Sequence, residues 1–205
     1  MSSNKTGQSL PVMEAFYTIQ GEGFHSGRAA YFIRLGGCDV GCQWCDVKDS
    51  WDAEKHPVRS IDSIVNEATQ YPSRFVVITG GEPAMYDLIP LTRLLKDKGF
   101  EIAIETSGVY QLSGIVDWIC VSPKKFKSVL PDMLSMAHEL KVIINHTSDY
   151  QFAEQFLRGV PTDCKLYLQA EYSKFDHHIP GMIDYVKTNP MWKISLQTHK
   201  IINVP

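Results

Sequence analysis

Apolar positions along the chain fall into two alternating patterns. Short apolar runs rich in β-branched residues predict buried strands at 31–35, 75–79, 101–105, 117–121, 140–144, 166–169 and 193–197. Helical spacing separates several of them. Ile61, Ile64, Val65 and Ala68 follow Ser60, a good N-cap residue. Leu88, Leu91, Leu94 and Leu95 form a second stripe, stopped by Gly99. Asp149 is placed to cap a third helix carrying Phe152, Ala153, Phe156 and Leu157 and ending at Gly159, and 180–186 reads as a fourth. Strands with continuous apolar runs, alternating with helices, predict an α/β fold with a mostly parallel, covered sheet. The chain is too short for eight complete βα units, so the expectation is a partial, open TIM-like barrel.

Polar signatures fall where these strands stop: Thr79-Gly80-Gly81-Glu82, Glu105-Thr106-Ser107, Ser122-Pro123-Lys124 and Gln169. In parallel α/β folds the ligand site lies beyond the C-terminal strand ends. Unrelated loops have no reason to share this placement, whereas one active-site rim does.

Composition narrows the class. The chain has 205 residues, 44% hydrophobic and 21% charged, with a net charge of -3. It gives no electrostatic case for nucleic acid or an anionic membrane as partner. No apolar run approaches the ~18 residues of a membrane span, and the expected compartment is the cytoplasm. Residues 1–10 are expected to be a flexible tail and 11–205 a single domain. Five cysteines make an odd count, which argues against a secreted disulfide framework. Cys120 and Cys164 read as small core residues. Cys38, Cys42 and Cys45 crowd one loop. Three thiolates satisfy three irons of a [4Fe-4S] cubane and leave the fourth iron open for an amino group and a carboxylate. A structural zinc site closes with four ligands, and no second cysteine pair is present.

Cys-x3-Cys-x-aromatic-Cys, with Trp44 in the aromatic slot, and Gly80-Gly81-Glu82-Pro83 resemble the motifs of the radical S-adenosylmethionine (SAM) superfamily. Phe16-Tyr17-Thr18-Ile19-Gln20-Gly21-Glu22-Gly23, Phe32-Ile33-Arg34-Leu35, Ile104-Glu105-Thr106-Ser107-Gly108, Val121-Ser122-Pro123-Lys124 and Gln197-Thr198-His199-Lys200 resemble, within it, the 7-carboxy-7-deazaguanine synthases of queuosine biosynthesis. The resemblance spans 13–205. It implies a carbon–nitrogen lyase that uses a [4Fe-4S] cluster and SAM to convert 6-carboxy-5,6,7,8-tetrahydropterin to 7-carboxy-7-deazaguanine with loss of ammonia. It also implies a homodimer and an electron donor such as flavodoxin.

The resemblance carries residues with it. Trp44, Cys45, Asp46, Gly81, Ser107, Ser122, Pro123, Lys124 and Gln169 fall at SAM positions, although Ala170-Glu171-Tyr172 departs from the family's pattern after Gln169. Ile19, Gln20, Gly21, Glu22, Arg34, Thr79 and the carboxylate of Pro205 fall at substrate positions. Arg34 interrupts an apolar strand and needs an anion there, either a substrate carboxylate or an internal acid. The family's threonine after Asp46, which helps hold Mg2+, is Val47 here. Valine offers no side-chain oxygen, so weaker or rerouted magnesium use is expected. His177 and His178 are expected in a loop before a helix, His56 and His138 at the surface, and His199 within the C-terminal signature. Two other readings share the cysteines: a glycyl-radical-enzyme activase, which acts on a protein, and a non-catalytic zinc or Fe–S module.

Overall fold

The computed structural model describes residues 8–205. The expected tail lies partly outside this range. Its last two residues, Ser9 and Leu10, instead begin a strand, and Leu10 is buried.

Among the described residues, nine strands form one sheet in the order β3-β1-β2-β4-β5-β6-β7-β8-β9. They are β1 (Ser9–Ile19), β2 (Ala29–Leu35), β3 (Val58–Ser60), β4 (Phe75–Gly80), β5 (Glu101–Thr106), β6 (Trp118–Val121), β7 (Glu139–Ile144), β8 (Lys165–Ala170) and β9 (Trp192–Ser195). From β2 through β4 to β9 every neighbouring pair is parallel. β1 runs antiparallel between β2 and β3. The end strands, β3 and β9, are not paired to each other, so the barrel is open, as the pattern predicts.

The period of two along each strand divides the sheet into faces. On the outer face, Ile33, Val76, Ile78, Ile102, Ile104 and Val121 pack with Ile61, Ile64 and Val65 of α1 (Ile61–Ala68) and Leu91 and Leu95 of α2 (Ile89–Asp97). Ser60 caps α1 as expected, its hydroxyl accepting from Ser63 N at 3.3 Å. After the short α3 (Pro131–Ser135), a second outer core joins Leu140, Val142, Leu168 and Trp192 to Ala153 of α4 (Ser148–Glu154) and Met182 of α5 (Phe175–Thr188). On the inner face, Phe32, Phe75, Val77 and Ala103 cluster near the strand starts. Two residues further along each strand, the same face carries Arg34, Thr79 and Glu105. Among the described residues, no helix is long and apolar enough to cross a membrane.

Three local expectations are corrected. Asp149 lies inside α4 and does not cap it. Its carboxylate turns back to accept from Asn145 N and His146 N, each at 2.7 Å, and pairs with Lys125. α4 also ends at Glu154, short of Gly159, while Phe156 and Leu157 still pack on the core from the following turns. α5 begins at Phe175, so His177 and His178 are helical and Pro180 sits within the helix. Phe175 and Ile179 explain the earlier start, because both pack on the second core and reward a helical turn before the proline.

Candidate functional site

One cavity opens at the C-terminal ends of the strands. It is lined by Cys38, Cys42, Trp44, Cys45 and Asp46 from the loop after β2, and by Gly81 after β4. Ser107, Ser122, Lys124 and Gln169 line it from the strand ends between β5 and β8. Ile19, Gln20, Gly21, Glu22, Arg34, Thr79 and Pro205 complete the set. Val47 is also in the wall. Pro123 is absent from the lining, and its neighbours Ser122 and Lys124 face the cavity instead.

The cysteine loop is fixed by backbone bonds. Gly37 N donates to Ser50 O at 2.6 Å, Cys38 N to Trp51 O at 3.0 Å, and Glu82 N to Gly37 O at 2.9 Å. The last of these docks the loop against the end of β4. Gly81 is required there: a Cβ would stand 2.7 Å from Cys38 Cβ and closer still to Gly37 O. Gly81→Ala is expected to push the cysteine loop away and cut cluster incorporation at least ~3-fold, read as iron per chain after anaerobic reconstitution. Full iron loading would contradict this placement.

Burial raises the Cys38 thiol above its usual range and the Cys42 thiol to about 11. Thiolates at such positions need strong positive charge beside them, which cluster irons supply. Three thiols on one cavity wall, with no fourth cysteine among the wall residues, fit a cluster with one open iron. Lys124 is not a solvated lysine. Its ammonium donates to Ser122 O at 2.8 Å and Ser122 Oγ at 2.5 Å, and lies 5.6 Å from the Trp44 ring centre. Burial lowers its pKa, against the attraction of Cys42.

Glu82 organises the strand ends. Its carboxylate accepts from Ala84 N at 3.0 Å, Thr106 Oγ1 at 2.5 Å, Ser107 N at 2.7 Å and the Ser107 hydroxyl. One buried side chain thus joins the Gly80-Gly81-Glu82-Pro83 turn to the end of β5.

The opposite wall is a charged lattice. Lys141, on β7, pairs with Glu22 and lies 3.6 Å from Glu105 Oε1. Gln197 Nε2 donates to Glu22 Oε1 at 2.7 Å, and Gln20 Nε2 to Glu105 Oε1 at 3.1 Å. Burial pushes the Glu22 pKa up, but Lys141 and Gln197 outweigh it and bring it to about 2. Burial likewise opposes the Lys141 charge, and Glu105 and Glu22 overcome it, so its pKa is raised. Arg34 has an internal acid as well as the cavity: its Nε donates to Glu14 at 2.6 Å. The C-terminal residues close the rim. The Thr18 hydroxyl donates to the Pro205 carbonyl oxygen at 3.0 Å, and α6 (Thr198–Ile201) places His199 in the wall. Lys200 lies 3.5 Å from Asp46 and 3.9 Å from the Tyr172 ring centre.

Comparison with known proteins agrees with this geometry. The Radical SAM superfamily model matches residues 32–151. A 7-carboxy-7-deazaguanine synthase from Flavobacterium psychrophilum is 52% identical over 97% of this chain and 94% of its own length. The synthase from Escherichia coli K12 is 35% identical over 95% of this chain and 98% of its own length. The crystal structure of QueE from Escherichia coli superposes with a TM-score of 0.82 at 32% identity, covering 96% of this chain and 99% of that one.

The chain belongs to the 7-carboxy-7-deazaguanine synthase family. It is thereby a radical SAM enzyme, and the family implies a [4Fe-4S] cluster and SAM as cofactors. Within this family frame, the motif residues account for most of the cavity. Lys141 and Glu105 are wall residues that the motifs alone do not assign to a role. The signal for Lys141 is present in the sequence: a lone charge between Leu140 and Val142, the same pattern that singles out Arg34.

Proposed function

We propose that the protein converts 6-carboxy-5,6,7,8-tetrahydropterin to 7-carboxy-7-deazaguanine and ammonia. Substrate and products balance atom for atom, so the reaction needs no net oxidant. The observation that carries this reading is the shared cavity: the three cluster cysteines, Arg34 and Glu22 all face it. Held by the cysteines and the SAM-wall residues, the cluster and SAM would supply radical hydrogen abstraction at C6 of the pterin, with SAM serving as a cofactor that is not consumed.

The protein's own residues bind and orient. Cys38, Cys42 and Cys45 hold the cluster. Trp44, Asp46, Gly81, Ser107, Ser122, Lys124 and Gln169 surround SAM, with Pro123 shaping the turn between Ser122 and Lys124. Arg34, fixed at Nε by Glu14, leaves its other guanidinium nitrogens for the substrate carboxylate. Glu22 stays ionised at neutral pH and is therefore an acceptor only. It suits the N–H groups along the amino-pyrimidine edge, together with Ile19, Gln20 and Gly21. Thr79 and Pro205 line the remaining substrate wall. The protein works as a homodimer in the cytoplasm and takes electrons from a low-potential donor such as flavodoxin. The full-length similarity to synthases favours a small substrate over the protein partner of an activase.

Substrate deuterated at C6 tests the reading. Deuterium is expected in SAM recovered after turnover; product made without any transfer of label to SAM would contradict it.

Magnesium use follows from Val47. Its side chain has no oxygen, and its carbonyl already accepts from Ser50 Oγ at 2.6 Å and Ser50 N at 3.1 Å. Turnover is expected to change by no more than about threefold between Mg2+ and excess chelator. An absolute Mg2+ requirement would show that other oxygens replace the threonine.

A further inference from the structure

We propose that Ser195 is a positioning residue that fixes which face of the Gln169 amide meets SAM and ties that amide to the substrate loop. The proposal rests on the functional reading above. Gln169 and Ser195 are register partners on β8 and β9, and both are buried. Gly23 N–H donates to Ser195 Oγ at 2.9 Å. A backbone N–H is only ever a donor, so the serine oxygen accepts there. The hydroxyl hydrogen must point elsewhere, and Gln169 Oε1 stands 2.7 Å away. The direction of donation therefore runs from Gly23 through Ser195 to Gln169.

The amide is placed with Oε1 toward Ser195, so both groups are used. A flipped Gln169 would turn its NH2 group onto the serine oxygen and take this acceptor from the hydroxyl hydrogen, which would have to rotate away. With its oxygen held by Ser195, Gln169 offers Nε2 hydrogens to the cavity. It meets a ligand as a donor, which suits a ring nitrogen of adenine. The same hydroxyl holds the loop that carries Glu22, because Gly23 is the next residue. Gly23 has φ +63, and a Cβ there would strike Glu139, so the loop also lies tight against β7. Glu139 accepts from Phe24 N at 3.1 Å on the far side of the turn. Loss of the Ser195 hydroxyl releases the Gly23 N–H and the Gln169 oxygen together, and so loosens the SAM wall and the substrate wall in one step.

The test is anaerobic titration calorimetry on reconstituted holoenzyme, with SAM alone and then with 6-carboxytetrahydropterin in the presence of SAM. Ser195→Ala is expected to weaken both ligands about five- to tenfold and to lower Tm by several degrees, and Ser195→Thr, which keeps the hydroxyl, to stay within about twofold of wild type in both affinities. Gln169→Glu keeps an acceptor for Ser195 but has no donors for the ligand, and is expected to lose SAM affinity by a larger factor than Ser195→Ala. The proposal is overturned if Ser195→Ala binds both ligands within about twofold of wild type, or if Gln169→Glu binds SAM as wild type does. If Ser195→Ala does not fold, Gln169→Glu decides alone. Wild-type holoenzyme that binds SAM but not the pterin would instead sink the functional reading, and the SAM titrations would still judge Ser195.

Discussion

Lys141→Met is expected to destabilise the fold by about 3–5 kcal/mol, the usual cost of removing one partner from a buried ion pair. The lysine side chain is 5% exposed and that of its partner Glu22 15%. Methionine fills similar volume, so the loss is electrostatic and not a cavity effect. The sign of the pH dependence follows. In the wild type, the Glu22 pKa is depressed to about 2, so its contribution is present above the unfolded value of 4.5 and fades as pH falls toward 2. Without Lys141, burial dominates and Glu22 titrates above 4.5. The variant should then regain stability relative to wild type as pH is lowered from 7 to 5. Denaturant unfolding at both pH values checks this. A loss under 1 kcal/mol, or no change between the two pH values, would mean the pair contributes little.

Glu82→Gln is the second large effect. The substitution keeps shape and removes one acceptor oxygen from a carboxylate that faces donors on both sides. Either amide orientation sets an NH2 group against a donor. On the Oε2 side that donor is Ser107 N–H, a backbone group that cannot turn away, and on the Oε1 side it is Ala84 N–H. The expected cost is about 3 kcal/mol, from a buried donor left unpaired next to a lost charge-assisted bond. Because Glu82 N also docks on Gly37 O, iron loading should fall with stability. A variant with wild-type Tm and full iron content would remove Glu82 from its organising role.

Much of this architecture is legible in one dimension because parallel strands bury both faces. The run Phe75-Val76-Val77-Ile78 has no alternative to a covered strand, and its end at Gly80-Gly81 places the rim. β1 is harder to read. It holds Pro11, Glu14 and Thr18 among apolar residues, and it is stabilised by antiparallel pairing to β2 and β3, which local periodicity does not show. The same limit applies to the site. Cys38, Cys42 and Cys45 are adjacent in the chain, so their chemistry is visible at once. Lys141 is separated from Glu22 by 119 positions, and only the curvature of the open sheet brings them together. The Ser195–Gly23 bond spans 172 positions and has no sequence signature at all. Motif residues announce themselves, whereas the residues that hold them in place emerge only from the fold.

Radical chemistry on a carboxylated pterin in this cavity is what the whole arrangement of residues serves. The most direct measurement is product analysis with anaerobically reconstituted, reduced protein given SAM and 6-carboxy-5,6,7,8-tetrahydropterin. The expected result is a brown protein that forms 7-carboxy-7-deazaguanine and one ammonia per product over many turnovers, with no matching consumption of SAM. A colourless zinc protein, or a brown one that cleaves SAM and leaves the pterin unchanged, would contradict it.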